Sequence, residues 1–161
     1  MTTTTATVGS ERRNVWMAAG YAGLITALLA VVFSLLFQAE QLILYIIALL
    51  LIGAGPVLGY QLSRGKLFGD WMAIIGGIVG FIFFLLFIGW PILVGALSKE
   101  QSMGKLFLGS LLGFVLGVAV FLLLQTFFGQ NPYFVGTSWV MLWAVWGGTC
   151  GAAMEAWRTE A

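Results

Sequence analysis

Long stretches without a charged side chain dominate the pattern of apolar and polar positions in this chain. Four such stretches lie between charged residues: 14–39, 41–63, 71–98 and 106–154. A helix needs about 20 apolar residues to cross a hydrocarbon core about 30 Å thick, so each of the first three stretches holds one transmembrane helix. The fourth stretch is long enough for two helices.

A cluster of turn-forming residues at 129–132 divides the fourth stretch, and Thr137 or Ser138 then offers an N-cap for a new helix. Five transmembrane helices are predicted, near 15–37, 42–62, 71–97, 106–128 and 138–157. The last of these contains glycine, threonine and cysteine within a short length. A four-span alternative, in which the C-terminal segment lies in the membrane interface, therefore stays open.

The predicted fold is an all-α polytopic transmembrane helical bundle over residues 14–157, with no extramembrane domain. A flexible polar tail of residues 1–13 precedes the bundle, and a short tail of residues 158–161 follows it. Five spans place the two termini on opposite sides of the membrane. The pair Arg12–Arg13 before the first span favours a cytoplasmic N-terminus, and a bacterial cytoplasmic membrane is the expected location.

Composition strengthens the membrane assignment. Apolar residues make up 61% of the chain and charged residues 8%, against roughly 45–50% and about 25% in an ordinary soluble domain. Such a chain lacks the polar side chains needed to cover a water-exposed surface. A soluble globular domain is excluded.

Small residues recur at helical spacing and define packing faces on several predicted spans. The glycines on these faces are Gly76, Gly80, Gly109, Gly113, Gly117, Gly148 and Gly151. In lipid, small residues let two helices approach closely, and this close contact stabilises their association. The faces serve either packing within one bundle or an interface with another subunit, and the spacing alone leaves both interpretations open.

Tryptophans share the other face of the fifth predicted span. Trp139, Trp143 and Trp146 lie on it together with Cys150. A lipid-facing aromatic stripe is the favoured interpretation. The alternative is a surface on which a flat hydrophobic ligand stacks.

Two sequence features interrupt the predicted spans. Pro56 lies among glycines in the second span, and Gly89, Trp90 and Pro91 are consecutive in the third. Proline removes a backbone donor and bends a helix. Both features are expected to be bends, because no ionisable residue accompanies them.

The residue types needed for common catalytic and metal sites are missing. The chain has no histidine and a single cysteine, so no catalytic relay, metal site or cofactor is predicted. Asp70 is expected to cap the third span and to pair locally with Arg64 or Lys66. Glu155 is expected at a solvated helix end, with pairing to a neighbour's basic residue as the alternative.

The leading functional hypothesis is a non-catalytic membrane protein that acts by helix–helix association. It would be an accessory, assembly or stabilising subunit of a larger complex, or a homo-oligomer; its partners would be lipids and membrane proteins rather than nucleic acid. The alternative is a small transporter or channel for a neutral or hydrophobic solute. Its cavity would be lined by the few polar side chains in or near the spans: Ser34, Gln61, Ser110, Gln125 and Thr149.

Overall fold

The computed structural model describes residues 14–37, 42–82, 88–98, 100–129 and 132–159. These ranges form helices and contain no strand, which confirms the all-helical class for the described part of the chain. The helices are α1 (Val15–Phe37), α2 (Leu42–Ser63), α3 (Trp71–Ile82), α4 (Gly89–Leu97), α5 (Met103–Phe128) and α6 (Pro132–Ala156). The predicted tail of residues 1–13 and the last two residues of the chain lie outside the described residues.

Among the described residues, three helices are long and apolar enough to cross a membrane: Val15–Leu36, Leu42–Ser63 and Met103–Phe128. α6 has 25 residues, which corresponds to about 37 Å of helix. It is less apolar than the other three because it contains Thr137, Ser138, Thr149 and Glu155. The first two helices closely follow the predicted spans 15–37 and 42–62.

α1 packs between α2 and α6 and runs antiparallel to both. Gly55 and Gly59 of α2 contact Thr26 and Ala22 of α1, while Gly148 of α6 contacts Ala19. The first residues of α1 therefore lie beside the last residues of α6. The five predicted spans would place the two termini on opposite sides of the membrane. In the structure, the start of α1 and the end of α6 lie at the same end of the bundle.

Within the predicted span 71–97 the structure describes two antiparallel helices, α3 and α4, and residues 83–87 between them lie outside the described part. A Cβ atom at Gly76 would meet the backbone of Leu93, and one at Gly80 would meet Trp90. α3 and α4 have 12 and 9 residues, or about 18 and 14 Å of helix, too short to cross a bilayer separately. They pack as a hairpin whose outer ends lie at the same end of the bundle.

The expected bend at Gly89–Trp90–Pro91 is the first turn of α4. Proline is tolerated there because the first backbone N–H groups of a helix have no intrahelical acceptor. The Trp90 indole donates a hydrogen bond of 2.7 Å to the Gly53 carbonyl, halfway along α2. The hairpin therefore reaches about half the height of α2, which continues as a helix through Pro56.

The turn between α5 and α6 is shorter than expected. Gly129 follows α5, and α6 begins at Pro132 rather than at residue 138. Proline suits the first helical position, where its fixed φ fits and its missing N–H is not needed. Thr137 and Ser138, the expected N-caps, lie inside α6.

Candidate functional site

Each of the six described helices has one terminus at a common end of the bundle. We call it the polar end and define it as residues 60–70, 98, 100–105 and 154–159. α1, α3 and α5 begin here, and α2, α4 and α6 end here. Every charged residue that the structure describes lies at this end: Arg64, Lys66, Asp70, Glu100, Lys105, Glu155 and Arg158. It is the candidate functional site because the described charged side chains converge on it.

A glycine turn at the end of α2 positions two of these residues. Gly65 has a φ of 65°, a left-handed conformation that glycine adopts readily. Its N–H donates to the Leu62 carbonyl, and the Lys66 N–H donates to the Gln61 carbonyl at 3.0 Å. This pattern is a Schellman motif, which satisfies the last carbonyls of the helix. It fixes where Arg64 and Lys66 leave the bundle.

Arg64 joins α2 to the segment between α4 and α5. Its guanidinium forms an ion pair with Glu100 at 2.6 Å and donates a hydrogen bond of 3.3 Å to the Tyr60 hydroxyl. Partial burial lowers the pKa of Arg64, but Tyr60 and Glu100 raise it by more, so its pKa lies above its usual value. Arg64 therefore stays charged and holds two segments that are 36 residues apart in the chain.

The same α4–α5 segment is bound to the end of α6. The backbone N–H and the hydroxyl of Thr159 both donate to the Glu100 carbonyl, at 2.9 and 2.8 Å. The Gln101 amide donates to the Met154 carbonyl at 3.3 Å. Hydrogen bonds at the polar end thus connect the end of α2, the α4–α5 segment and the end of α6.

Asp70 is the N-cap of α3, as expected. Its Oδ1 accepts a hydrogen bond of 3.1 Å from the Ala73 N–H, and its backbone carbonyl accepts one of 2.8 Å from Gln61 Nε2. The latter bond fixes the orientation of the Gln61 amide, because a flipped amide would bring two carbonyl oxygens together.

A pocket of about 160 Å³ lies at the polar end. Its lining combines buried apolar groups with polar and charged groups: Tyr60, Gln61, Arg64, Lys66, Gly69, Asp70, Ala73, Ser98, Glu100 and Met154. Gln61 is only 5% exposed, and its Oε1 has no hydrogen-bond partner among the described residues. Gln61 therefore lines the pocket with a side chain whose oxygen is buried and has no hydrogen-bond partner among the described residues.

Glu155 differs from its expected position at a solvated helix end. It is 5% exposed, and its Oε2 has no hydrogen-bond partner among the described residues. It interacts electrostatically with Tyr60 and follows Met154, both of which line the pocket. The α4–α5 segment lies beside Glu155, because it is bonded to Met154 and Thr159 on either side of it.

The glycines of the predicted packing faces contact other helices of the same chain. Gly109, Gly113 and Gly117 of α5 face α6, where their nearest neighbours include Ala153, Thr149 and Leu142. Gly76 and Gly80 of α3 face α4, and Gly148 and Gly151 of α6 face α1. The close contacts that these glycines permit are therefore formed within the bundle.

The tryptophan face of α6 divides into a buried and an exposed part. Trp143 and Trp146 are buried, while Trp139 remains exposed. The buried rings contact each other at 5.7 Å, and Trp146 also contacts Trp90 of the hairpin at 5.5 Å. The Trp146 indole donates to Ser110 Oγ at 3.1 Å. This pair fills the core where a lipid-facing stripe was expected.

The polar residues expected to line a central cavity do not meet. Ser34 and Thr149 donate to the carbonyls of Ala30 and Val145 in their own helices, and Ser110 accepts from Trp146. Gln125 is half-buried in the last turn of α5. Gln61 alone among the five lines the pocket.

The sequence analysis did not predict the pairing of Arg64 with Glu100, because an arrangement of five spans places these residues on opposite sides of the membrane. The hairpin returns the chain to the same end and brings them together. The signal that could have found it is Gly89–Trp90–Pro91, if interpreted as a helix start. Within the described ranges, no group of three His, Cys, Asp or Glu side chains is placed to hold a metal ion.

Comparison of the chain with protein-family models, with curated proteins and with solved structures found no match.

Proposed function

We propose that this chain is a non-catalytic integral membrane protein that acts by association. It serves as an accessory, assembly or stabilising subunit of a larger membrane complex, or assembles with copies of itself. In this proposal α1, α2, α5 and α6 cross the membrane, and the α3–α4 hairpin enters and leaves on one side. The fourth span, α6, is long enough to cross and packs between α1 and α5.

The observation that carries the proposal is the distribution of polarity. The described charged groups lie at one end. The outer faces of α1 and α5 expose large apolar side chains along their length, and α2 exposes them in its first half. Inside, tryptophan rings fill the junction of the hairpin with α6. A filled interior and an apolar exterior support a protein that works through its surface.

Charge also supports an orientation. The chain has seven basic residues, and Arg64, Lys66, Lys105 and Arg158 lie at the polar end. The other three adjoin this end in sequence, because Arg12 and Arg13 precede α1 and Lys99 follows Ser98. Cytoplasmic loops of membrane proteins carry an excess of Lys and Arg. The proposal therefore places the polar end, and with it both termini, in the cytoplasm of a bacterium.

Reporter fusions at the two termini test this topology. Both fusions are expected to report the cytoplasm, since α1 and α6 are antiparallel neighbours. A reporter after Phe37, between α1 and α2, serves as the matched control and is expected on the opposite side. Termini on opposite sides of the membrane would contradict the four-span arrangement.

Association must use the outer faces, because the glycine faces are occupied within the chain. Photo-reactive residues placed at Leu24 of α1 and Leu112 of α5, both exposed, are expected to crosslink to other polypeptides in the native membrane. The same residue at Leu142, which is buried, is the control and is expected to crosslink only within the chain.

Native mass spectrometry of the protein in lipid nanodiscs taken directly from the membrane provides the second measurement. The expected result is a bound subunit or a second copy. A strictly monomeric protein, together with outer positions that crosslink only to lipid, would overturn the association proposal.

A transporter or channel for a neutral or hydrophobic solute is the second candidate, and the hairpin favours it. Helices that enter a membrane partway occur in channels and transporters, where protein or a water-filled cavity surrounds them. Solute flux into proteoliposomes tests it. This candidate requires flux above that of empty liposomes and loss of the flux in Gly80→Leu, whose side chain would separate α3 from α4.

A further inference from the structure

The α2–α3 loop, residues 64–70, exposes large apolar side chains next to a basic one. Leu67 is 49% and Phe68 64% exposed, and Trp71, the first residue of α3, is 61% exposed. Lys66, which precedes them, is exposed as well. Apolar side chains gain free energy when they leave water, and the boundary between lipid headgroups and hydrocarbon is a place where they can do so beside a basic group.

The backbone of the loop holds Phe68 in a conformation that phenylalanine rarely adopts. The Gly69 N–H donates to the Lys66 carbonyl at 2.8 Å, which closes a four-residue turn with Phe68 in its third position. Phe68 has a φ of 63°, whereas glycine is the residue that takes a positive φ in such a turn without strain. Backbone strain at an exposed side chain indicates that this side chain is used outside the bundle.

Three tryptophans mark the level of the membrane interface at this end of the bundle. Trp16 lies in the first turn of α1, Trp71 in the first turn of α3, and Trp157 directly after α6; all three are exposed. Tryptophan is enriched at membrane–water interfaces, because its apolar ring and its N–H suit the headgroup level. The α2–α3 loop adjoins Trp71 and therefore lies at this level.

The charges around the loop favour an anionic partner. Lys66 and Lys105 are more exposed than any described acid, and Lys66 forms no ion pair within the described part of the chain. The Asp70 carboxylate caps α3, where the positive end of the helix dipole offsets part of its charge. Glu100 is paired with Arg64. The charge that the loop presents outward is therefore positive.

We propose that the α2–α3 loop is a contact site for anionic phospholipid. Leu67, Phe68 and Trp71 enter the boundary between headgroups and hydrocarbon, and the Lys66 ammonium pairs with the phosphate of a headgroup beside them. Burial of apolar area together with attraction to anionic lipid is what binds interfacial segments to membranes. The inference rests on α2 crossing the membrane, as proposed above, and is independent of association and of the side that the polar end faces.

The test identifies the lipids around the loop with a fluorophore attached through Leu67→Cys. The chain has a single cysteine, Cys150, which is fully buried, so the label attaches at the loop. The full chain is placed in phosphatidylcholine nanodiscs with a small fraction of nitroxide-labelled lipid, either phosphatidylglycerol or phosphatidylcholine. We expect the phosphatidylglycerol probe to bind beside the label about fivefold more strongly, which corresponds to the ~1 kcal/mol that one basic residue contributes near an anionic surface.

Lys66→Gln in the labelled protein is the principal variant. It is expected to make the two nitroxide lipids quench equally, because the phosphate loses its partner. Lys105→Gln is the matched control, since it removes the same charge at the same end from α5, which packs against α4 and α6. It is expected to leave the preference for phosphatidylglycerol unchanged.

Phe68→Gly separates anchoring from folding. Glycine takes a positive φ without strain, so the Tm in maltoside micelles is expected to stay the same or to rise. In nanodiscs the label is expected to move toward water, where iodide, a water-soluble quencher, reaches it more readily. Phe68→Leu keeps an apolar side chain and is expected to keep the label at its original depth.

Four results would overturn the inference. The first is equal quenching by the two nitroxide lipids before any change at Lys66. The second is an equal loss of preference in Lys66→Gln and Lys105→Gln, which would assign it to the general charge of the polar end. The third is unchanged iodide quenching in Phe68→Gly, and the fourth is a lower Tm in that variant, which would show that Phe68 serves packing. Each leaves the proposed topology and association standing, because reporter fusions and crosslinking test those separately.

Discussion

The interface between α5 and α6 and the polar end illustrate two different uses of polar groups. At the interface, which we call the glycine interface (Gly109, Gly113 and Gly117 against α6), buried donors and acceptors are paired, as Ser110 is with Trp146. At the polar end, Gln61 and Glu155 are equally buried, and each keeps one oxygen atom without a hydrogen-bond partner in the described part of the chain. Both regions belong to one closely packed bundle.

The difference follows from the surroundings of each region. Within a membrane an unpaired polar group costs several kcal/mol, so the middle of the bundle must satisfy each one internally. At the end of the bundle, water or a ligand can complete an unfinished set of hydrogen bonds. The glycine interface therefore contributes stability, and the polar end has the capacity to bind.

The largest expected effect is that of Gly113→Leu. A Cβ atom here lies 3.0 Å from Thr149 Cβ and 3.1 Å from the Trp146 carbonyl, so a leucine side chain must push α6 away. The free energy of unfolding in micelles is expected to fall by about 3 kcal/mol, the upper part of the usual range for overpacking. Denaturation by sodium dodecyl sulfate measures it.

The control for this variant is Leu112→Ala, one residue away on the exposed face of α5. We expect it to change stability by less than about 0.5 kcal/mol. Equal stability of Gly113→Leu and the unmodified protein would mean that α5 and α6 are not held together by this interface.

A second effect concerns the aromatic core. Trp146→Phe removes the hydrogen bond to Ser110 and leaves space against Trp90, so a loss of about 2 kcal/mol is expected. Trp139→Phe, on the exposed part of the same helix, is expected to cost less than about 0.5 kcal/mol. Similar values for the two variants, measured by the same denaturation, would contradict the distinction between a filled core and an exposed stripe.

The sequence predicted α1 and α2 well because a charge-free run of about 20 residues has few alternatives in a membrane. It also predicted which glycines share a face, since helical spacing determines this directly. It did not predict what lies opposite each face. Gly113 meets Thr149 through the packing of two helices, and spacing within one helix carries no information about its neighbour.

The third span shows a different limit. Residues 71–98 are continuously apolar. This pattern is expected for one helix that crosses the membrane and equally for two short helices that enter and return. Gly89, Trp90 and Pro91 mark the position where the two arrangements differ, but they do not decide between them, because proline is compatible with both a bend and a first turn. That one choice decides whether Arg64 and Glu100 lie on the same side, so the polar end could not be predicted.

A smaller effect is expected from Glu100→Gln. The Arg64–Glu100 pair is short, but Glu100 is 38% exposed, and solvent-exposed pairs contribute about 0–1 kcal/mol. We expect a loss of at most about 1 kcal/mol that shrinks at high salt, because ions screen the pair. Denaturation at two salt concentrations measures both. A loss independent of salt would show that the hydrogen bonds of Glu100, rather than its charge, stabilise the α4–α5 segment.

The smallest effect has the opposite sign and comes from the same substitution at Glu155. A buried carboxylate loses its hydration, and no described residue donates a hydrogen bond to Oε2 in return, so its charge costs free energy. Glu155→Gln removes that charge while keeping the shape of the side chain, and we expect stability to rise by about 0.5 kcal/mol in micelles without added ligand. Glu100→Gln, measured in parallel, is the matched control, since it removes an equal charge from a paired position. If Glu155→Gln destabilised the protein as much as Glu100→Gln, the surroundings of Glu155 would stabilise its carboxylate as well as Arg64 stabilises that of Glu100. The contrast between the glycine interface and the polar end would then rest on Gln61 alone.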